Sequence, residues 1–140
     1  MHERAGLGAA AAASVKIALG QLIELANETG ASSDPVIRQK IASLLIEAEA
    51  LRLNSWRGLT QIMKTGIPGP EGSLPKLQWS AVNQGLTELA VAIQGEEGVL
   101  RDSDWTYRFL RSRANSIEGG TTEILKNIIS ERVLNLPKLR

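Results

Sequence analysis

One hundred and forty residues suffice for one well-covered core, and an apolar fraction of 43% is that of an ordinary globular protein. The net charge is +1 with acids and bases interspersed, which gives no electrostatic reason to expect nucleic acid or an acidic partner. Cysteine is absent, which excludes disulfides and thiolate metal sites, and the single histidine, His2, sits at a terminus where imidazole catalysis would be badly placed.

The first predicted helix runs from about Glu3 to Asn27, with Val15, Leu19, Leu22 and Ala26 on one stripe. Its segment Leu7 to Leu25 is Ala-rich, but Lys16, Gln21 and Glu24 interrupt it. The segment is therefore expected to fall short of a membrane span, and the chain reads as cytoplasmic. The loop Thr29-Gly30-Ala31-Ser32-Ser33 leads to Asp34-Pro35, an N-cap followed by proline at the first helical position. The second predicted helix, to about Lys64, carries Ile37, Ile41, Leu44, Ala48, Leu51, Ser55 and Ile62 at bundle spacing, and stops at Gly66-Ile67-Pro68-Gly69-Pro70. Ser73 is read as the cap of a third helix with a Trp79, Val82, Leu86, Leu89, Ile93 seam, closed by Gly95 and Gly98. A shorter helix fits Ser103 to about Ala114, and a last one fits Thr121 to Leu134, ended by Pro137. No stretch alternates with period two. The expected architecture is an all-α antiparallel up-down bundle of three long and two shorter helices, in one domain spanning residues 1–140.

The segment Ser112-Arg113-Ala114-Asn115-Ser116-Ile117-Glu118-Gly119-Gly120-Thr121-Thr122-Glu123-Ile124 places a glycine pair and a hydroxyl directly before an amphipathic helix. Such a corner suits an anion, because glycines admit close approach to backbone N–H groups and a helix N-terminus adds partial positive charge. Its plain alternative is a helix start capped by Thr121. This segment, with the tail from Asn127 to Pro137, resembles the C-terminal signature of the acyl-CoA dehydrogenase family of flavoproteins. Asp34 to Gln39 and Gly69 to Leu77 are similar to stretches of its actinobacterial members, including steroid side-chain degraders. The resemblance covers essentially the whole chain. Complete members carry two further domains, so the resemblance implies the C-terminal domain of a longer flavoprotein, inactive when isolated.

The resemblance implies FAD, an acyl-CoA substrate, and electron-transfer flavoprotein as acceptor, in a homodimer, homotetramer or heteromer, with no nucleic acid and no membrane. The family reaction removes an α-proton with a glutamate, and that glutamate occupies one of two positions. One immediately precedes the Gly-Thr pair, where this sequence has Gly119. The other opens the first helix before an arginine, where this sequence has Glu3-Arg4. Glu3 is therefore the implied base, Arg4 a charge on the substrate side, and Gly119 room for the acyl group. Glu118 is the alternative base. Taken without the family, Glu3 is a first-turn glutamate favoured by the helix dipole, and Glu118 a solvated loop charge. Gly120 and Thr121 are implied to contact FAD, with Glu123 near its adenosine half.

Some positions depart from the family pattern. The region Glu24 to Ser33 lacks the Arg and Phe-Gly that reach a neighbouring subunit's FAD, and Ala92 stands where members carry a glutamine. Arg38 is a substitute phosphate partner or a solvated charge. Trp56, Trp79 and Trp105 read as core or interface anchors rather than a ligand cage, and Arg108, Arg111 and Arg113 as a charged helix face. Two further functions fit the same helical stripes: a non-catalytic partner subunit of a heteromeric dehydrogenase, and a bundle that only assembles.

Overall fold

Apolar stripes at helical spacing decide the architecture seen in the computed structural model, which describes residues 3–67, 69–100 and 103–138, with side chains from residue 8 onward. Helix α1 (Glu3–Glu28) turns back into α2 (Pro35–Thr65) through a short 3-10 turn, Ala31–Ser33. Gly30 makes that turn at φ 74°, and the Asp34 carboxylate accepts the Val36 N–H at 2.7 Å ahead of Pro35. Gly66, at φ 72°, ends α2 and donates its N–H to the Ile62 carbonyl at 2.7 Å. Helix α3 (Ser73–Gln94) is central, packing on α1, α2, α4 (Asp104–Ser112) and α5 (Thr122–Arg132). No strand occurs among the described residues, and the fold is the expected all-α up-down bundle with three longer and two shorter helices.

The core lies between α1, α3 and α4, where Leu19, Leu22, Leu86, Leu89, Ala90 and Trp105 are buried together. A second cluster, Val15, Leu51 and Val82, joins α1, α2 and α3. Each fully buried leucine contributes roughly 1.5–3 kcal/mol of transfer free energy, which is what fixes the helices against one another. The whole α1 stripe of Val15, Leu19, Leu22 and Ala26 is buried, as the spacing predicts.

Several boundaries differ from the sequence reading. Ser73 is not a cap: Gly72 before it is already right-handed, so the turn Pro70–Gly72 runs directly into α3 with Ser73 as its buried first residue. Helix α4 gives way after Ser112 to a 3-10 turn, Arg113–Ser116, and α5 ends at Arg132. The segment Gly8–Glu28 is, by length and composition, apolar enough to cross a membrane, contrary to the expectation from its interruptions. Its stripe of Val15, Leu19, Leu22 and Ala26 is buried against α2 and α3, while only 22% of the segment is buried in all.

Candidate functional site

The glycine corner forms where the polypeptide leaves the 3-10 turn after α4 and enters α5. Gly119 and Gly120 take φ 65° and 110°, backbone conformations that side chains rarely allow. Thr121 is extended and caps α5, its hydroxyl oxygen accepting the Ile124 N–H at 3.3 Å. The Glu123 carboxyl is held below the usual carboxylate range by its own backbone N–H and by the Thr121 hydroxyl. Gly119, Gly120, Thr121 and Glu123 are thus brought into one corner, Gly119 and Glu123 exposed and Gly120 and Thr121 half-buried, with the carboxylate of Glu123 at the helix start.

Glu118 lies on the outer side of the corner. Arg111 grips it with two bonds, Nη1 to Oε1 at 3.1 Å and Nη2 to Oε2 at 2.8 Å, and Asn115 Nδ2 adds a third to Oε1 at 2.7 Å. The Arg111 bonds, then the Asn115 bond, hold the Glu118 carboxyl below its ordinary range. A general base for a weakly acidic carbon needs the opposite shift, toward working pH.

Beneath the corner lies a feature that the sequence reading missed. Lys76, on α3, is only 7% exposed. Its ammonium donates to the Asn115 carbonyl and, at 3.2 Å, to the Gly120 carbonyl. Ser80, one turn on, donates to the same Asn115 carbonyl at 2.8 Å, and Asn83 Nδ2 donates to Asn115 Oδ1 at 2.8 Å. Thr87 shares a hydrogen bond of 3.1 Å with Ser112, and Gln84 Nε2 donates to the Ser112 carbonyl at 3.0 Å. Lys76, Ser80, Asn83 and Thr87 recur at i, i+4, i+7 and i+11, so α3 carries a polar stripe beside its apolar one. That spacing was the available signal.

The other singled-out residues are accounted for by local contacts. Arg38 donates to the Ser32 and Ser33 carbonyls at 3.1 and 2.8 Å. Arg108 pairs with Asp104 at 2.7 Å and Arg113 with Glu88 at 2.7 Å, so these arginines line a salt-bridged face. Trp105 is buried, Trp79 packs against the second core cluster, and Trp56 is exposed beneath the Arg52 guanidinium. They sit on three different helices.

The side chains of Glu3 and Arg4 lie outside the described residues. Near the same end of α1, a cleft of about 170 Å³ begins at Gly8 and runs between α2, the Pro70 turn and the last turns of α5. Leu59, Ile62, Pro75 and Ile128 give it apolar walls, and Ser55, Glu71 and Arg132 give it polar ones. Pockets that enclose a small-molecule ligand usually measure about 300–1,000 Å³, so this cleft alone does not enclose one.

A family model described as "Acyl-CoA dehydrogenase, C-terminal domain" matches residues 1–134, a span that takes in the start of α1, the cleft and the whole corner. The chain belongs to the acyl-CoA dehydrogenase family. Acyl-CoA dehydrogenase IpdE1 of Mycolicibacterium smegmatis is 35% identical over 128 residues, covering 84% of this chain and 30% of that protein. IpdE1 of Mycobacterium tuberculosis is 32% identical over 133 residues, covering 86% and 32%. The chain thus spans about a third of the length of these acyl-CoA dehydrogenases. The solved structure of the Tcur3481-Tcur3483 steroid ACAD superposes on 99% of the chain and 38% of its own with a TM-score of 0.82. At 22% identity, that likeness establishes the acyl-CoA dehydrogenase C-terminal fold alone.

Proposed function

We propose that this chain is the C-terminal domain of an FAD-dependent acyl-CoA dehydrogenase that converts an acyl-CoA thioester to its trans-2-enoyl-CoA. The family match across residues 1–134 carries the reading, because it spans the start of α1 and the glycine corner together. In this reading the Glu3 carboxylate takes the α-proton and Arg4 lies beside it on the substrate side. A bound FAD would supply the hydride acceptor for the β-hydrogen as the α,β double bond forms, and electron-transfer flavoprotein would carry the electrons on. Gly119, with no side chain, leaves room for the acyl group. Gly120 and Thr121 offer bare backbone and a hydroxyl to the cofactor, and the ionised Glu123 suits the hydroxyl donors of a ribose. The two left-handed glycines fit this role, since a β-carbon at either would be strained.

Proton removal from carbon needs a dry, enclosed base, and the small cleft beside Gly8 supplies only part of such an enclosure. The domain by itself is therefore expected to be inactive. Size-exclusion chromatography with added FAD tests the cofactor reading. Flavin absorbance co-eluting with a dimer or larger species is expected, and a flavin-free peak overturns cofactor holding by this chain alone. In the full-length enzyme, Glu3→Gln is expected to lower acyl-CoA-dependent dye reduction by at least about 10³-fold while sparing flavin absorbance, since the proton acceptor itself is lost. Normal turnover in that variant overturns Glu3 as base. It would move the base to Glu118 or to a partner chain, and the missing Arg and Phe-Gly of residues 24–33 fit the second reading, a non-catalytic partner subunit.

A further inference from the structure

We propose that Lys76 is the positioning residue of the glycine corner, its buried ammonium fixing the path of residues 115–120 so that Gly120 and Thr121 present their backbone in one geometry. Desolvating an ammonium is costly, and one this deeply buried persists only where its donors are used. Among its partners are the carbonyls of Asn115 and Gly120, which lie at the two ends of the loop. One nitrogen therefore ties both ends together, where separate donors would set each independently. The lysine stem passes beneath the loop, so that a β-carbon at Gly119 would come 3.6 Å from Lys76 Cε.

Neighbouring contacts are arranged around the same atoms but do not replace the lysine. Within the loop, Ser80 reaches the Asn115 carbonyl alone, its other bond going to the Lys76 carbonyl at 3.0 Å, and Asn83 reaches the Asn115 side chain. Asn115 Nδ2 passes the network on to the Glu118 carboxylate. Of these side chains, Lys76 is the one bonded to Gly120, the residue directly before the α5 cap. The inference rests on the cofactor reading of the corner only for its effect on flavin; the effect on the loop is independent of it.

The test is amide hydrogen exchange on the chain with and without FAD, using Lys76→Met and Asn115→Ala. Lys76→Met keeps the length of the stem and removes the donors. Asn115→Ala removes the side-chain network but keeps the backbone carbonyl that Lys76 binds. Lys76→Met is expected to speed exchange across Gly119–Leu125 by about ten-fold or more, with α1 and α2 unchanged, and Asn115→Ala by less than about three-fold. FAD affinity, read by flavin fluorescence, is expected to fall about ten-fold in Lys76→Met and to stay near wild type in Asn115→Ala. Where Lys76→Met does not fold, Lys76→Gln, which retains a donor for one carbonyl, is expected to give an intermediate increase in exchange. Unchanged corner exchange in the lysine variant, or equal loosening by Asn115→Ala, overturns the proposal. So does a rise in exchange spread evenly over the molecule. A wild-type chain that takes no FAD defeats the cofactor reading for this chain, while the exchange pattern still decides the role of Lys76.

Discussion

Glu118 and Gly119 are neighbours in the chain with opposite constraints. Gly119 is kept free of a side chain by its left-handed backbone, whereas Glu118 is committed by three hydrogen bonds to Arg111 and Asn115. Because its carboxyl is held below the ordinary value, the ionised form is stabilised by folding. The resulting stability is fully present above the unfolded-state value of about 4.3 and is lost as pH falls through the lower folded-state value. The gain is small, since both partners are about half exposed and screened by solvent. Thermal melts of wild type and Glu118→Gln between pH 7 and pH 3 are expected to show wild type the more stable at neutral pH and the difference vanishing at the acid end. A difference that grows toward acid would contradict this ion-pair account of Glu118. The same variant should leave the proposed chemistry in place, since a carboxylate biased toward ionisation is poorly suited to act as the base.

Between elements, close approach is set by what is missing. Gly98 is buried where the 3-10 turn after α3 folds back on that helix, and a β-carbon there would sit 2.5 Å from the Val91 carbonyl oxygen. Backbone cannot retreat as a side-chain tip can, so Gly98→Ala forces this turn away from the end of α3. A cost of about 1–3 kcal/mol is expected, a drop of roughly 3–10 °C in melting temperature. The Thr106 hydroxyl, bonded to the Gly98 carbonyl at 2.6 Å, should be disturbed with it. Gly20→Ala, with open space around the new methyl, is the control and should be neutral or mildly stabilising. Legibility in the sequence follows the same division. Stripes such as Val15, Leu19, Leu22 and Ala26 were readable because burial of apolar side chains repeats with the helix. The glycine corner was readable because glycine and threonine have distinct local preferences. Ser73 misled because its suitability as a cap is local, while the helical path of the Pro70 turn ahead of it is set by packing against α5 and α3. Lys76 escaped because a lysine reads as solvated, and nothing in its own segment announces two carbonyls contributed from the far end of the chain.

At the scale of the molecule, α2 stands apart because so little of it is covered. Only Leu51 and Ser55 are buried along a helix of 31 residues. Leu45, Trp56 and Met63 point in one direction from it and Ile46 and Leu53 in the next, with Met63 80% and Ile46 69% exposed. Large exposed apolar surfaces mark interaction sites, and these side chains recur along a helix about 46 Å long. The Arg52 guanidinium, paired with Glu49 and lying 4.5 Å from the Trp56 ring centroid, breaks the row with a charge that a partner must accommodate. This surface fits the oligomer that the family resemblance implies. Sedimentation velocity over a concentration series is expected to show self-association of the chain. The double substitution Leu45→Lys and Met63→Lys should weaken it by at least about ten-fold, since each buried apolar side chain is worth about 1.5–3 kcal/mol. Because neither residue contributes to the core, the monomer's melting temperature should move by no more than the roughly 0.5 kcal/mol typical of surface changes. A wild-type chain that stays monomeric throughout the series assigns this face to other protein instead of a second copy. Loss of melting temperature in the double variant would instead make it part of the fold.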